Sequence, residues 1–434
     1  MIIKASFENI LSFNDETTLD FIAQKSDNLS NHVLRAQKRD DISILKTGMI
    51  YGSNAVGKSN TIKAIWMLQQ IALGKWPQKY IEPFKMKGPG TKPSKIEISF
   101  KHEDKYYTYG ILFTIQGILE EWLQEINKRS VKNIYTRTKN ENEFIYRFFT
   151  TKMKTIQENF LFFLGKGTPE KKSFLSEYAN RNGENLEAIN KVYAWFGNTL
   201  QIIFPRSRYQ GLSFRFDEDK EFKENFNELL RYFNTGIVDI SKMSLPKEST
   251  NLPKEIIDEI FASAKPGTKS FVSTASGEWY FFETSVQGVT TVSKQQTIHE
   301  NEKEERCAFS MCEESDGTLR LLDLLPMLIK LKNGKSVFLV DEIDRSLHLG
   351  RTIEILRCYL SNLTECSDSQ LIVTTHELNL ISADLLRQDE IWLAEKDVSG
   401  ATHLTRPANN KPRENFKKMY LTGQWYPAKF NITQ

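Results

Sequence analysis

Residues 52–59 read GSNAVGKS, which fits G-x-x-x-x-G-K-[ST], set between the apolar run Met49-Ile50-Tyr51 and a helical pattern over Thr61–Leu73. A strand, a glycine-rich turn and a helix in that order commit the chain to an α/β core built around a phosphate loop. Gly52 and Gly57 let the backbone curl so that successive N–H groups point at phosphate oxygens. The following helix aims a positive dipole end, about half an elementary charge, at the same oxygens. Ser53, Asn54, Ala55, Val56 and Asn60 complete the expected cradle. Lys58, on a solvent-facing loop, is expected to reach the β- and γ-phosphates, and the Ser59 hydroxyl to hold Mg²⁺. A second pair, Gly165-Lys166, lacks the upstream glycine and the following hydroxyl residue, and reads as a loop.

The second half of the chain narrows the chemistry. Ser336–Val340 (SVFLV) is apolar and ends in Asp341-Glu342. A buried parallel strand with acids at its C-terminal end is where an open α/β sheet places ligand chemistry. Asp341 is expected to bind Mg²⁺, directly or through water. Glu342 is expected to polarise an attacking water, since phosphoryl transfer needs an oriented nucleophile more than covalent help. Asp344, Ser346, Leu347 and His348 follow in IDRSLHLG, and a further apolar strand, Leu371–Thr375 (LIVTT), ends in His376. A His at that tip can hydrogen-bond the γ-phosphate.

The order of phosphate loop, acidic pair, Asp-containing turn and strand-end His resembles ABC-type ATPases of the SMC and RecF kind. It does not resemble Ras-like GTPases or hexameric AAA+ unfoldases. The resemblance implies ATP as the nucleotide and a signature segment before the acidic strand, LSGGQ in transporters. Glu314-Ser315-Asp316-Gly317-Thr318 stands there, ahead of Leu319–Leu322 and an apolar helix over Leu324–Leu331. In ABC-type enzymes this segment binds the γ-phosphate held by the other subunit, and the resemblance assigns that role to Ser315 and Gly317. Asp316 replaces the first glycine and the terminal Gln is missing, which argues against a transporter-like turnover rate. Gln69, Gln70 and Gln78 come after the phosphate loop, and none is singled out by its neighbours as a Q-loop residue.

FENILSFNDETTLDF, ESDGTLRLLDLLP, VDEIDRSLH, QLIVTTHELNL and LLRQDEIWLAEKD together resemble stand-alone bacterial AAA15/AAA21-type ATPases, over residues 1–150 and 265–425. These are ABC-like proteins of phage-defence operons, including the ATPase subunits of Septu and PARIS and relatives of the RloA and AbiL type. The fold class implied is α/β: an ABC-type P-loop NTPase with a mixed sheet core, a flanking antiparallel sheet and an inserted helical lobe.

Composition is compatible with this and excludes alternatives. With 434 residues, 40% hydrophobic and 12% aromatic, the chain has material for two to three domains and a large core. No stretch approaches the ~20 apolar residues of a membrane span, and MIIKASFENI is a strand start rather than a signal peptide. A net charge of +3 from 58 basic and 55 acidic residues projects no global field toward nucleic acid. Local basic spots occur at Arg35, Lys38 and Arg39, at Lys152 and Lys154, at Lys166, Lys171 and Lys172, and at Arg206 and Arg208, so a DNA groove assembled on dimerisation stays open. Cys307, Cys312, Cys358 and Cys366 lack zinc spacing and read as free thiols of a cytoplasmic protein.

Three segments are expected. Residues 1–150 form the first half of an ATP-binding lobe, with an N-terminal hairpin over 2–23 and a meander over 95–126. Residues 151–265 form a helical insertion without heptads, and 266–434 the second half of the lobe, with short strands over 268–311. Residues 398–434 read as loop-rich, with Trp425-Tyr426-Pro427 able to dock a partner or pack on the core. The expected function is a slow, regulatory ATPase. It forms a head-to-tail dimer or higher oligomer around ATP and serves as sensor or scaffold of an anti-phage complex. A separate effector, a nuclease, supplies the cleavage, because no HNH-like cluster is present and little room follows His376 for a Toprim domain. The alternative is a RecF/SMC-like DNA-binding ATPase of DNA repair. A metabolic nucleotide kinase is disfavoured by the signature and the strand-end His.

Overall fold

The structure, a computed structural model, describes residues 1–406 except 27, 89–91, 142, 150–154, 182–185, 210–211, 275–277 and 382–384. Lys152, Lys154 and Trp425-Tyr426-Pro427 lie outside the described residues. The chain divides into two compact units: Met1–Pro205 with Leu331–Asp344 and Ile355–Gln434, and Arg206–Lys330 with Arg345–Glu354.

The first unit opens with a hairpin, β1 (Ile2–Glu8) and β2 (Thr17–Asp20), whose Ile3, Ala5 and Phe7 alternate into the core. A two-residue pair, β3 (Val33–Leu34) and β4 (Ile44–Leu45), leads into β5 (Thr47–Tyr51), which is buried at every residue, and then helix α1 (Lys58–Ala72). Next come β6 (Ser94–His102), β7 (Lys105–Phe113), β8 (Ile118–Ile126), β9 (Val131–Asn140) and β10 (Glu143–Phe148). The meander thus runs two strands beyond the expected span, and with the hairpin it forms a seven-stranded antiparallel sheet ordered β10-β9-β8-β7-β6-β1-β2. Then follow α2 (Thr155–Gly167), α3 (Phe174–Asn180), α4 (Glu187–Ala194) and β11 (Leu200–Ile203). Gly165 and Lys166 lie inside α2 rather than in a loop. A side chain at Gly165 would come within 3.0 Å of the Tyr146 ring, so glycine serves close helix–strand packing there.

The second unit contains α5 (Leu212–Glu218), α6 (Lys220–Tyr232), β12 (Ile237–Leu245), α7 (Lys254–Ser263), β13 (Lys269–Ser273), β14 (Trp279–Thr284), β15 (Thr290–Glu300) and β16 (Arg306–Ser310). Its sheet runs β12-β15-β14-β13, with β16 also on β15. The stretch 151–265 therefore holds two strands, β11 and β12, among its helices. β12 hides its period because a register shift between Ile237 and Asp239 breaks the alternation and only Ile237 and Ile240 are buried.

After β16 come α8 (Asp316–Asn333), β17 (Val337–Val340), α9 (Leu349–Ser361), β18 (Gln370–Thr375), β19 (Ile391–Lys396) and β20 (Thr402–Thr405). The first unit's other large sheet is ordered β11-β17-β18-β5-β19-β20. All its pairings are parallel except β19 with β20. Parallel strands covered on both faces read as near-continuous apolar runs, as VFLV and the LIV of QLIVTT do, and every residue of both strands is buried. Ile62, Ile65 and Leu68 of α1 join Ile50, Leu339 and Ile372 of this sheet and Ile96 and Ile98 of the antiparallel sheet in one core. Each such side chain contributes about 1.5–3 kcal/mol on burial, which holds α1 and the loop before it rigidly over the sheet.

Candidate functional site

β5 sits between β18 and β19, and it delivers its C-terminal end directly to Gly52. Two glycines shape the loop. A Cβ on Gly52 would lie 2.6 Å from Ala394 O, and Gly57 has φ 107°, with a Cβ position only 2.1 Å from Thr402 Oγ1. Ala55 is also left-handed, at φ 66°. Ser53, Asn54 and Ala55 are exposed, while Val56, Gly57, Ser59 and Asn60 are half-buried. α1 starts with no side-chain cap, so no cap competes with an anion for its first-turn amides.

Lys58 is buried, at 7% exposure, rather than extended into solvent. Its Nζ folds back to donate to Gly52 O and Ser53 O, each at 2.7 Å. Burial lowers its pKa, and the carboxylates of Asp344, Asp341 and Glu342, in that order, oppose the shift.

Asp341 directly follows β17, next to β18, and is 2% exposed. Its Oδ1 accepts from Ser59 Oγ at 3.0 Å and from Thr374 Oγ1 at 2.7 Å. Burial raises its pKa, partly offset by those two hydroxyl bonds. Glu342 is half-buried with φ 49°, and its N–H donates to Thr374 Oγ1 at 2.8 Å. A non-glycine residue held in the left-handed region is uncommon and tends to mark functional turns. His376 follows β18 directly, with Nδ1 2.9 Å from Asp344 Oδ2. Ser59, Asp341, Glu342 and His376 are thus gathered at the C-terminal ends of β5, β17 and β18.

Ser315 and Gly317 lie in the second unit. Ser315 is exposed and caps α8: its Oγ accepts from Thr318 N at 3.1 Å. A Cβ on Gly317 would come 2.9 Å from Ser346 O, so glycine is needed for that backbone approach.

Three residues of the site carry no motif signal. Thr402 Oγ1 lies 2.7 Å from both Val56 O and Ser12 Oγ, and Asn60 Nδ2 donates to Ser12 Oγ at 2.9 Å. Thr374, two residues before His376 in LIVTT, is the third, and nothing in the sequence marks its hydroxyl for Asp341. Gln69 is committed elsewhere, donating to Phe196 O and Leu200 O at 2.8 Å each. Of the basic spots, Lys172 pairs with Glu177 and Arg208 with Asp323. The four cysteines are free thiols. Among the described residues, no helix is long and apolar enough to cross a membrane, and no group of three or more His, Cys, Asp or Glu could hold a metal. One carboxylate beside one hydroxyl suits Mg²⁺, which is usually held with the help of substrate phosphates rather than in an all-protein cage.

A glycine-shaped loop between a buried parallel strand and a helix, facing a buried strand-end Asp, defines an α/β fold of the P-loop nucleotide-binding class. The chain belongs to the family described as "AAA domain, putative AbiEii toxin, Type IV TA system", whose model matches residues 49–382. Among solved structures it is similar to an SMC head domain from Thermotoga maritima, with 14% identity and a TM-score of 0.38, covering 94% of this chain and 99% of that one. It is also similar to an SMC head bound to the C-winged helix domain of ScpA, with 13% identity and a TM-score of 0.40, covering 94% and 98%. No curated protein matches the chain significantly.

Proposed function

We propose that this chain binds ATP with Mg²⁺ and hydrolyses it slowly, as the regulatory ATPase of a cytoplasmic anti-phage complex whose separate effector is a nuclease. One observation carries the catalytic part of this reading: Asp341 Oδ1 accepts from both Ser59 and Thr374. That junction joins the phosphate loop to the acidic strand. The backbone from Gly52 to Asn60 cradles the phosphates, and Lys58 leaves the carbonyls of Gly52 and Ser53 to meet them. Ser59 and Asp341 hold Mg²⁺, which supplies charge neutralisation on the phosphates when bound. Glu342 orients water, held by its left-handed turn on Thr374. His376 donates to the terminal phosphate.

Ser315 and Gly317 complete the corresponding site of a second copy, so that a head-to-tail dimer encloses two nucleotides. Ser315 is exposed at a helix start, where a hydroxyl and amides together suit an anion. The defence role rests on family membership and on the motif resemblance. Calorimetric titration of the full chain with ATP, with and without Mg²⁺, followed by phosphate-release assays and light scattering, tests the reading. Saturable Mg²⁺-dependent binding with ATP-induced doubling of mass is expected. Failure to bind ATP at cellular concentrations would overturn it.

A further inference from the structure

Beside the acidic pair stands Asp344, a carboxylate whose charge reaches Lys58 but whose contact with His376 has no part in the proposed function. Asp344 Oδ2 lies 2.9 Å from His376 Nδ1 and 3.4 Å from the His376 backbone nitrogen. The Asp344 side chain is 6% exposed, and its Oδ1 has no hydrogen-bond partner among the described residues. The backbone puts it there. β17 and β18 pair as far as Val340 and Val373. Glu342 then turns into the left-handed region, and Ile343, fully buried, donates its N–H to Thr374 O at 3.1 Å. These contacts keep the chain on β18 past the end of the ladder, so Asp344 arrives where β18 ends and His376 begins.

A buried carboxylate with one oxygen on a ring nitrogen and the other unpaired calls for an explanation. An imidazole engaged at Nδ1 has its ring orientation set, and Nε2 lies on the far edge of the ring. The His376 side chain is 54% exposed although its Nδ1 faces a buried carboxylate, which leaves room for a ligand at the ring.

We propose that Asp344 is a positioning residue: it holds His376 with Nδ1 inward, so that Nε2 is presented to the terminal phosphate of the nucleotide. This rests on the nucleotide-site reading above and adds a residue that touches no substrate. With Nδ1 already donating to Asp344, a donor at Nε2 means a ring shared between carboxylate and phosphate, protonated on both nitrogens. Asp344 thus acts on His376 as the Asp of a hydrolase triad acts on its His, by holding the orientation of the ring.

The test has two arms. Long-range proton–nitrogen NMR of the full chain without nucleotide, at a pH where the ring is neutral, shows which His376 nitrogen carries the proton, and His376→Gln supplies the assignment. Protonation at Nδ1 is expected in the wild type, with that preference lost in the near-isosteric Asp344→Asn. In the second arm, Asp344→Asn should lower kcat about 10–100-fold, the usual cost of losing a partner that orients a functional His, and ATP affinity, measured alongside, reports separately on the Asp344 charge that reaches Lys58. In a His376→Gln background the same substitution should cost nothing more, because a positioning residue acts only through the group it positions. An undiminished cost in that background, or a wild-type ring protonated at Nε2, would overturn the proposal. ATP titration of the wild type is read separately. Its failure would sink the nucleotide-site reading and leave the ring geometry to be judged by NMR alone.

Discussion

Ser59 Oγ lies 3.0 Å from Asp341 Oδ1, although the two residues are 282 positions apart in the chain. The first turn of α1 is thereby tied to the end of β17, with Thr374 of β18 on the same oxygen. A buried carboxylate held by two hydroxyls is pre-placed, and neither hydroxyl has to be recruited when charge arrives. Burial nevertheless pushes the Asp341 carboxyl above its usual range, and the two hydroxyl bonds offset part of that shift.

Lys58→Ala should abolish ATP binding and leave the fold in place. Lys58 makes two hydrogen bonds, both to carbonyls of its own loop, so its loss should shift Tm by less than about 4 °C. Calorimetric titration checks the binding and a thermal melt checks the fold. Wild-type affinity in the variant would show that Lys58 has no phosphate to meet.

Glu342→Gln should bind ATP and hydrolyse it at least ~100-fold more slowly, because an oriented base is removed while Asp341 remains. Glutamine adopts the same left-handed backbone at similar cost, so the φ of 49° is no obstacle to the substitution. Single-turnover hydrolysis is the measurement, and an unchanged rate would assign the water to another residue.

The phosphate loop, the acidic pair and the strand-end His were legible because each is a local sequence whose chemistry and geometry coincide. The central parallel strands were legible because burial on both faces leaves each with an apolar core run, VFLV in β17 and LIV in β18. Ser12 and Thr402 were not legible. They are 390 residues apart and meet only because the N-terminal hairpin and β20 both reach the loop. β12 escaped because its bulge destroys the period of two, and Gly165-Lys166 read as a loop because close packing against Tyr146, which asks for glycine inside a helix, leaves no trace in the local sequence. The Asp344–His376 contact needed the register of β17 on β18, which spacing alone does not give.

Thr402→Val should loosen the phosphate loop without emptying the core. The change keeps the shape but leaves Val56 O and Ser12 Oγ without the hydroxyl that lies 2.7 Å from each. A cost of about 1–2 kcal/mol in stability is expected. ATP affinity should weaken about 5-fold, equivalent to about 1 kcal/mol. Urea unfolding and ATP titration measure the two effects, and a variant unchanged in both would show that β20 does not support the loop.

Lys46 should leave a signature in alkaline stability. It is fully buried, with Nζ donating to Asn31 O at 3.0 Å, Thr364 O at 2.5 Å and Glu365 O at 3.3 Å. Burial lowers its pKa from 10.5 to about 8, opposed by Cys366, Asp368 and Glu365. Between those two values the unfolded chain holds the proton and the folded one has released it, so this residue makes stability rise with pH across that window. Below about 8 both states are charged and its contribution is flat. Lys46→Met lacks the effect. The difference in unfolding free energy, wild type minus variant, should therefore climb from pH 8 toward pH 10.5. Parallel profiles would show that the ammonium is not perturbed in the folded state.

The shared site makes the most demanding prediction. Ser315 is exposed and directly precedes α8, which it caps through Thr318. Ser315→Arg should cost about 1 kcal/mol through loss of the cap and leave ATP binding by the variant's own Lys58 intact. The bulky cation should nevertheless prevent closure of a nucleotide-enclosing dimer, so sedimentation with ATP should report monomer where the wild type associates. Mixing Ser315→Arg with Lys58→Ala then separates geometries. Each homodimer is inactive, because every composite site in it lacks one half. A head-to-tail heterodimer contains one site broken in both halves and one site with an intact Lys58 and an intact Ser315. Partial recovery of hydrolysis in the mixture indicates two independent composite sites. No recovery, together with monomeric Ser315→Arg, indicates that both sites must fire in concert. ATP-induced association of Ser315→Arg at the wild-type level would rule out a shared site altogether, because the helix start would then lie away from the second copy's nucleotide.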